Sequence, residues 1–203
     1  MHLTDRWRDR PDPAPGQSQL FWHVLMRDQP QVRALAALAR QRLAPYPGLH
    51  LTPEERLHLT VLRVGTSPEI PQAGIEAMVG RARELLRPVP PATVTIGRVL
   101  YRPQAIVLGA VPDGALDPVA TAIRSAASSA IGLPGDVGEG PWLPHVTVAY
   151  STLDQPAEPI IAALGTELPA CPVIVDSVHL IAQHGSERDW NWQLLATVRL
   201  AAA

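Results

Sequence analysis

Cysteine is nearly absent from this chain of 203 residues. Cys171 stands alone, so no intramolecular disulfide and no cysteine-based zinc site can form. That usage fits a reducing compartment. Aromatic residues are scarce too, at 4%, which leaves few rings for stacking along a nucleic-acid single strand. The net charge is −2, where a surface that coats nucleic acid would be clearly basic. A small anionic substrate in a local positive pocket stays compatible with that charge. No apolar run reaches the roughly 18 residues a membrane span needs. The opening stretch MHLTDRWRDRPDPAPGQSQ carries charge and proline in place of an apolar signal core. A cytoplasmic protein without membrane contact is the expectation, and a monomer.

Apolar residues, mostly Ala, Leu and Val, make up 46% of the chain. The length suits one domain, or two small lobes sharing a sheet. Residues 1–16 include Pro11, Pro13 and Pro15, a spacing that sustains neither helix nor central strand. They are expected to form a flexible arm ahead of a single bilobal domain over 17–203. Periodicity predicts strands over 19–26 and 57–64, and helices over 30–44 and 69–87. A hairpin follows over 92–101 and 104–111, then a helix over 117–132 ended by Gly132 and Pro134. A glycine-rich loop at 134–141 leads to a strand over 143–150, a short helix over 157–165, and a closing hairpin of 171–183 with 190–200. Helices with antiparallel hairpins predict an α+β fold, its helices packed outside the sheet.

Two tripeptides carry the chemistry. His58-Leu59-Thr60 and His145-Val146-Thr147 each open an apolar run, and they lie 87 residues apart, about half the chain. Strand side chains alternate between faces, so each His and its Thr share one face while Val61 and Val148 point to the other. Two such strands in a duplicated fold would bring two imidazoles and two hydroxyls into one cleft. The set suits phosphodiester chemistry. Histidine, with a pKa near ~6.5, serves as acid or base at neutral pH. The threonine hydroxyls would donate to non-bridging phosphate oxygens.

With these motifs, and with Pro144 before the second His and Ala149-Tyr150 after its Val148, the chain resembles the 2H phosphoesterase superfamily. The branch it is most similar to is that of the bacterial 2′-5′ RNA ligase-like proteins, or RNA 2′,3′-cyclic phosphodiesterases. The resemblance covers roughly residues 18–200. It implies a bilobal, pseudo-two-fold α+β fold whose antiparallel-rich sheets line a central cleft. It also implies hydrolysis of a 2′,3′-cyclic phosphate at an RNA end or on a small nucleotide, without metal or cofactor. His58 and His145 would be catalytic, with Thr60 and Thr147 on the phosphate. Ligation of 2′-5′ linkages is the reverse reaction at the same residues. A non-catalytic module holding an RNA end or phosphorylated ligand is the rival from another class. Some members of the family carry Arg five residues after the second His; that position is Tyr150 here, while Arg63 holds the matching place after the first.

Other residues have plainer readings beside the functional ones. His50-Leu51-Thr52 also reads H-x-T, but Pro53 follows it rather than a strand, which makes it a decoy near the cleft rim. Arg63 and Arg98 are candidate substrate contacts. Arg63 would face away from His58 in an ideal strand unless a bulge turns it back. Trp142 and Tyr150 could stack on a base or simply pack. His23 shares the face opposite Trp22 and Val24, pointing to the cleft or packing. Trp190 and Trp192 are expected to pack the last hairpin. The stretch 135–140 has GxG spacing but neither a preceding strand nor a Lys, so it is no phosphate loop. Metal-ligand patterns such as H-E-x-x-H are absent.

Overall fold

The computed structural model describes residues 1–10, 12–67, 69–132 and 142–201. In chain order the elements are β1 (His2–Leu3), β2 (Ser18–Leu25), α1 (Pro30–Leu43), β3 (Leu49–Leu51), β4 (His58–Thr66) and α2 (Gln72–Leu86). Then come β5 (Ala92–Arg102), β6 (Ala105–Val111), α3 (Asp117–Ile131), β7 (His145–Ser151), β8 (Gln155–Pro156) and α4 (Glu158–Leu164). β9 (Glu167–Val175), β10 (Ser177–His184) and β11 (Trp192–Arg199) close the chain. Each long helix starts or stops where backbone chemistry requires it. Pro30 opens α1 at a position where its missing N–H costs nothing. α2 begins only after Pro71, whose extended backbone cannot continue a helix backwards, so it is three residues shorter at its start than the periodicity predicts. Gly132 ends α3 in the left-handed region at φ 69°, as a residue without Cβ can.

The main sheet runs β11-β10-β2-β4-β7-β6-β5-β9, with β3 pairing the far end of β7. All its pairings are antiparallel. It divides into two four-stranded halves, and the seam between β4 and β7 is one residue pair, Leu59 opposite Val146. This is the α+β, two-lobed arrangement expected. Leu59 and Val146 are fully buried on the face that the helices cover. There α2 packs on α3, α3 on β4, and α1 on β7, β9 and α4. The opposite face carries the motif side chains. The buried polar residues mark the same region, since Gln19, His23, Thr147 and Gln183 are among the few that are buried. A buried polar group needs a reason.

Three expectations differ from the structure. The N-terminal segment is no free arm. β1 pairs with β8, Leu3 is fully buried, Trp7 is nearly so, and the Arg6 N–H donates to the Ser151 carbonyl at 2.9 Å. The prolines at 13 and 15 follow this docked stretch and did not prevent it. Residues 171–183 form two strands, not one: β9 pairs with β5, while β10 pairs with β2 and β11. The break at Asp176 coincides with a change in parity, from Cys171, Val173 and Val175 buried to Val178, Leu180 and Ala182 buried. Finally, the decoy region contains a short strand, β3, because its backbone completes the edge of β7 that β4 leaves free. The loop expected at 134–141, with its GxG stretch, lies outside the described residues.

If the N-terminal segment is structural, Leu3→Ala should lower the unfolding free energy by about 2–5 kcal/mol, the range for a buried Leu truncation. A urea melt reads this as a lower midpoint, and an unchanged midpoint would restore the picture of a free arm.

Candidate active site

The single seam pair aligns the two motifs crosswise. With Leu59 opposite Val146, one step either way sets His58 across from Thr147 and Thr60 across from His145. Partners across an antiparallel pair share a face, so both imidazoles and both hydroxyls lie on the open side. The histidines are then diagonal neighbours, a relation that spans about 7–8 Å. That leaves room for a phosphoryl group between them.

A β-bulge follows each motif at the same place. On β4 the register with β2 skips Val61, and both Val61 and Leu62 are buried. On β7 the register with β6 skips Val148, and both Val148 and Ala149 are buried. A bulge inserts one residue and so reverses the alternation beyond it. The fifth residue after each histidine, Arg63 on one strand and Tyr150 on the other, therefore returns to the motif face. Arg63 donates from Nη2 to Gln19 Oε1 at 2.9 Å. Tyr150 meets Thr147 through a side-chain hydrogen bond, and burial holds its hydroxyl above the usual tyrosine pKa.

The two imidazoles are held alike. His58 Nδ1 lies 2.7 Å from the Arg56 carbonyl and His145 Nδ1 2.7 Å from the Leu143 carbonyl, each two residues upstream. A carbonyl only accepts, so both Nδ1 atoms carry the proton and both Nε2 atoms are free for chemistry. Their surroundings differ. Burial, reinforced by His145, lowers the His58 pKa to about 4 against the pull of the Arg56 carbonyl. Burial also lowers His145, with Arg102 adding to it and the Leu143 carbonyl opposing. His23 stacks on His58 with ring centroids 4.1 Å apart, and burial keeps it well below the ordinary histidine pKa. His23 is thus on the cleft side, as β2 alternation allowed, and it is fully packed there.

The remaining candidates fall elsewhere. Trp142 donates its indole N–H to the Thr60 carbonyl at 3.2 Å, tying one motif to the approach of the other rather than offering an open ring. Arg98 aligns with Gly109, which aligns with His145, so it lies on the motif face two strands from His145 beside a separate hollow with Leu143 and Pro144. His50 pairs with Tyr150 and accepts from Trp190 Nε1 at 3.1 Å, which makes the decoy a support of the cleft wall.

Sequence reasoning missed most of that wall. Trp190 and Trp192 line the pocket with His23, His58 and Thr60 instead of merely packing the hairpin. The Trp192 and His58 rings meet nearly perpendicular with centroids 4.9 Å apart, and Trp190 stacks over Tyr150 at 6.0 Å. Trp190 holds a left-handed backbone at φ 51°, a strained state for a bulky residue that marks functional regions. From the N-terminal segment, Arg6 lies 4.8 Å over the Tyr150 ring and pairs with Glu187 at 3.0 Å. No local signal announces such contacts. A pocket of about 80 Å³ at His58 thus adjoins one of about 400 Å³ lined by Arg10, Gln19 and Arg63, and Gln183 and Glu187 border both. Among the described residues, no three His, Cys, Asp or Glu side chains converge as metal ligands.

A two-lobed sheet with paired H-x-T strands at its seam defines the 2H phosphoesterase class. The family model of the 2′-5′ RNA ligase superfamily matches residues 27–187, and the chain belongs to that family. Membership places it among phosphoesterase- and ligase-type enzymes. Similar solved structures include TT0787 of Thermus thermophilus, 21% identical over 90% of this chain and 97% of that one, with a TM-score of 0.65. E. coli LigT complexed with 3′-AMP is 18% identical over 92% and 99%, with a TM-score of 0.67. The MHV ns2 PDE domain is 11% identical over 81% and 99%, with a TM-score of 0.61. At these identities the likeness is one of fold. No curated protein sequence matches the chain.

Four histidines, His23, His58, His145 and His179, are held below their ordinary pKa chiefly by burial. Below about pH 6.5 the unfolded chain takes up protons that the folded chain refuses. Stability should therefore fall as pH drops from about 6.5 towards 4, where His58 titrates. Urea midpoints measured across that window check this, and flat midpoints would contradict the burial assigned to these rings.

Proposed function

We propose that the protein hydrolyses 2′,3′-cyclic phosphodiesters at RNA ends or on small nucleotides, with His58 and His145 as the acid–base pair. The observation that carries this reading is the crosswise register at Leu59 and Val146. It sets each histidine opposite the other motif's threonine. LigT has been solved with 3′-AMP, with ATP and with phosphate, and the first is a phosphomonoester of the kind this hydrolysis would release. That supports a nucleotide substrate here.

His58 is the base. Its deeper burial keeps it neutral over the wider pH range, with Nε2 open to accept. It takes a proton from water as the water oxygen bonds to phosphorus. The bond from phosphorus to one ribose oxygen breaks, and protonated His145 gives that oxygen its proton from Nε2. The products are a phosphomonoester and a free hydroxyl, and solvent exchange returns the proton from His58 to His145. The Thr60 and Thr147 hydroxyls donate to the non-bridging oxygens, where charge grows. β-Branching limits their rotamers, and Tyr150 holds Thr147. The bound phosphate raises both histidine pKa values, which arms His145 as the acid.

Turnover of adenosine 2′,3′-cyclic phosphate by the purified chain should persist in EDTA. His58→Gln and His145→Gln should each reduce kcat by about 10²–10⁴-fold, while His50→Ala keeps most of the activity. Activity lost to EDTA and restored by a divalent metal, or a dominant role for His50, would overturn the assignment.

The pH dependence follows from burial. The free protein's base titrates near 4 and its acid below the ordinary histidine value. kcat/KM should form a bell centred between about pH 4 and 6.5, its limbs belonging to the coupled pair. kcat should peak at higher pH, since bound phosphate raises both values. A profile without limbs between about pH 4 and 9 would assign these histidines a structural role.

A further inference from the structure

The N-terminal segment is a strap joining both lobes at one end of the cleft. On the β7–β8 side its terminal amine pairs with Glu158 at 2.6 Å, and Arg8 pairs with Asp154 at 2.7 Å. On the β10–β11 side Arg6 pairs with Glu187 at 3.0 Å, and the Arg188 guanidinium lies 4.5 Å over the Trp7 ring. The strap lies outside the residues that match the family, 27–187. With Arg10 and Trp7 it walls the pocket of about 400 Å³ beside His58.

Arginines converge on that pocket from separate elements. The β4 bulge delivers Arg63 to it, the strap supplies Arg10, and Arg6 stands close by. Among the described residues Arg63 bonds only the neutral Gln19 and pairs with no carboxylate. The acids facing the pocket are Glu187, Asp9 and Asp12. Glu187 is committed to Arg6 at 3.0 Å and lies 3.9 Å from Arg10. Asp9 and Asp12 are exposed, as are Arg10 and Arg63, and water screens all four. Burial, and then repulsion from Arg6 and Arg63, hold the Arg10 guanidinium below its ordinary pKa despite Glu187. Cations crowded in this way gain from an anion placed between them. Arg63 lies three residues beyond Thr60 on the same face, on the order of 7–10 Å along the strand. Successive phosphates of a nucleotide chain are separated on that scale.

We propose that the strap-walled pocket is a second anion subsite that seats the 5′-phosphoryl group of the nucleotide whose 2′,3′-phosphate reacts, with Arg63 and Arg10 as its ligands. The inference rests on reading His58 and Thr60 as the reacting phosphate's site. It makes doubly phosphorylated nucleotides the preferred substrates over a bare nucleoside cyclic phosphate. The 5′-phosphoryl group can be a free monoester or the diester link to a preceding nucleotide.

Calorimetry on the full chain separates the possibilities, with 3′-AMP as reference, adenosine 3′,5′-bisphosphate as the monoester probe, and the 3′-phosphorylated dinucleotide ApAp as the diester probe. At least one doubly phosphorylated probe should bind about tenfold or more tightly than 3′-AMP, and the tighter of the two identifies the source. Arg10→Gln and Arg63→Gln should each remove most of that advantage, and the double variant should bring the ratio near one. Equal affinities for all three probes in the wild type, or an advantage that survives the double variant, would overturn the subsite. Turnover of adenosine 2′,3′-cyclic phosphate is read separately, so a failure of the phosphodiesterase reading is distinguishable from a failure of this one.

Discussion

One apolar pair, Leu59 against Val146, joins the two halves of the sheet. Both side chains are fully buried beneath the helices, and burying two aliphatic side chains is worth a few kcal/mol, about 1.5–3 each. That burial sets more than stability. A register slip of one residue would turn the motif face into the core, burying two imidazoles without partners and exposing Leu59 and Val146. The hydrophobic cost of that slip is what holds two histidines and two threonines, drawn from opposite halves of the chain, on one surface.

From this seam the site develops asymmetrically. Each motif has the same bulge and the same carbonyl on its histidine Nδ1. Yet β4 faces a crowded flank, with His23 stacked on His58 and Trp192 set perpendicular to it, while His145 adjoins the exposed Leu143. A symmetric frame with unequal burial separates the two imidazoles' proton affinities, and acid–base chemistry needs that separation. The strap and the strained Trp190 bridge from this flank to Tyr150 on β7. The backbone of Trp190 stays in its sparse conformation because its indole is held by His50 and by the Tyr150 ring.

Much of this architecture was legible in sequence because its determinants are local. Pro30 and Gly132 bound helices by backbone chemistry, and the alternation through β2 places His23 opposite Trp22 correctly. The bulges were less accessible. Val61-Leu62 and Val148-Ala149 are ordinary apolar pairs, and only the partner strands' register shows that one residue is extra. The division at Asp176 was visible in parity alone and was masked by the continuous apolar content of 171–183. The strap was illegible, since Leu3 and Trp7 are anchored by partners far away in the chain, and the proline run beside them argued for mobility. The cleft wall of Trp190, Trp192 and Glu187 shares that cause, being assembled from non-local contacts.

In the proposed mechanism His58 and His145 present free Nε2 atoms to one shared phosphate. Imidazole nitrogen NMR reads this directly through a pH titration with and without inorganic phosphate. Both neutral rings should carry the proton on Nδ1, both should titrate below the ordinary histidine pKa with His58 the lower, and added phosphate should raise both together. Neutral rings protonated on Nε2, or phosphate that moves neither histidine, would contradict that mechanism.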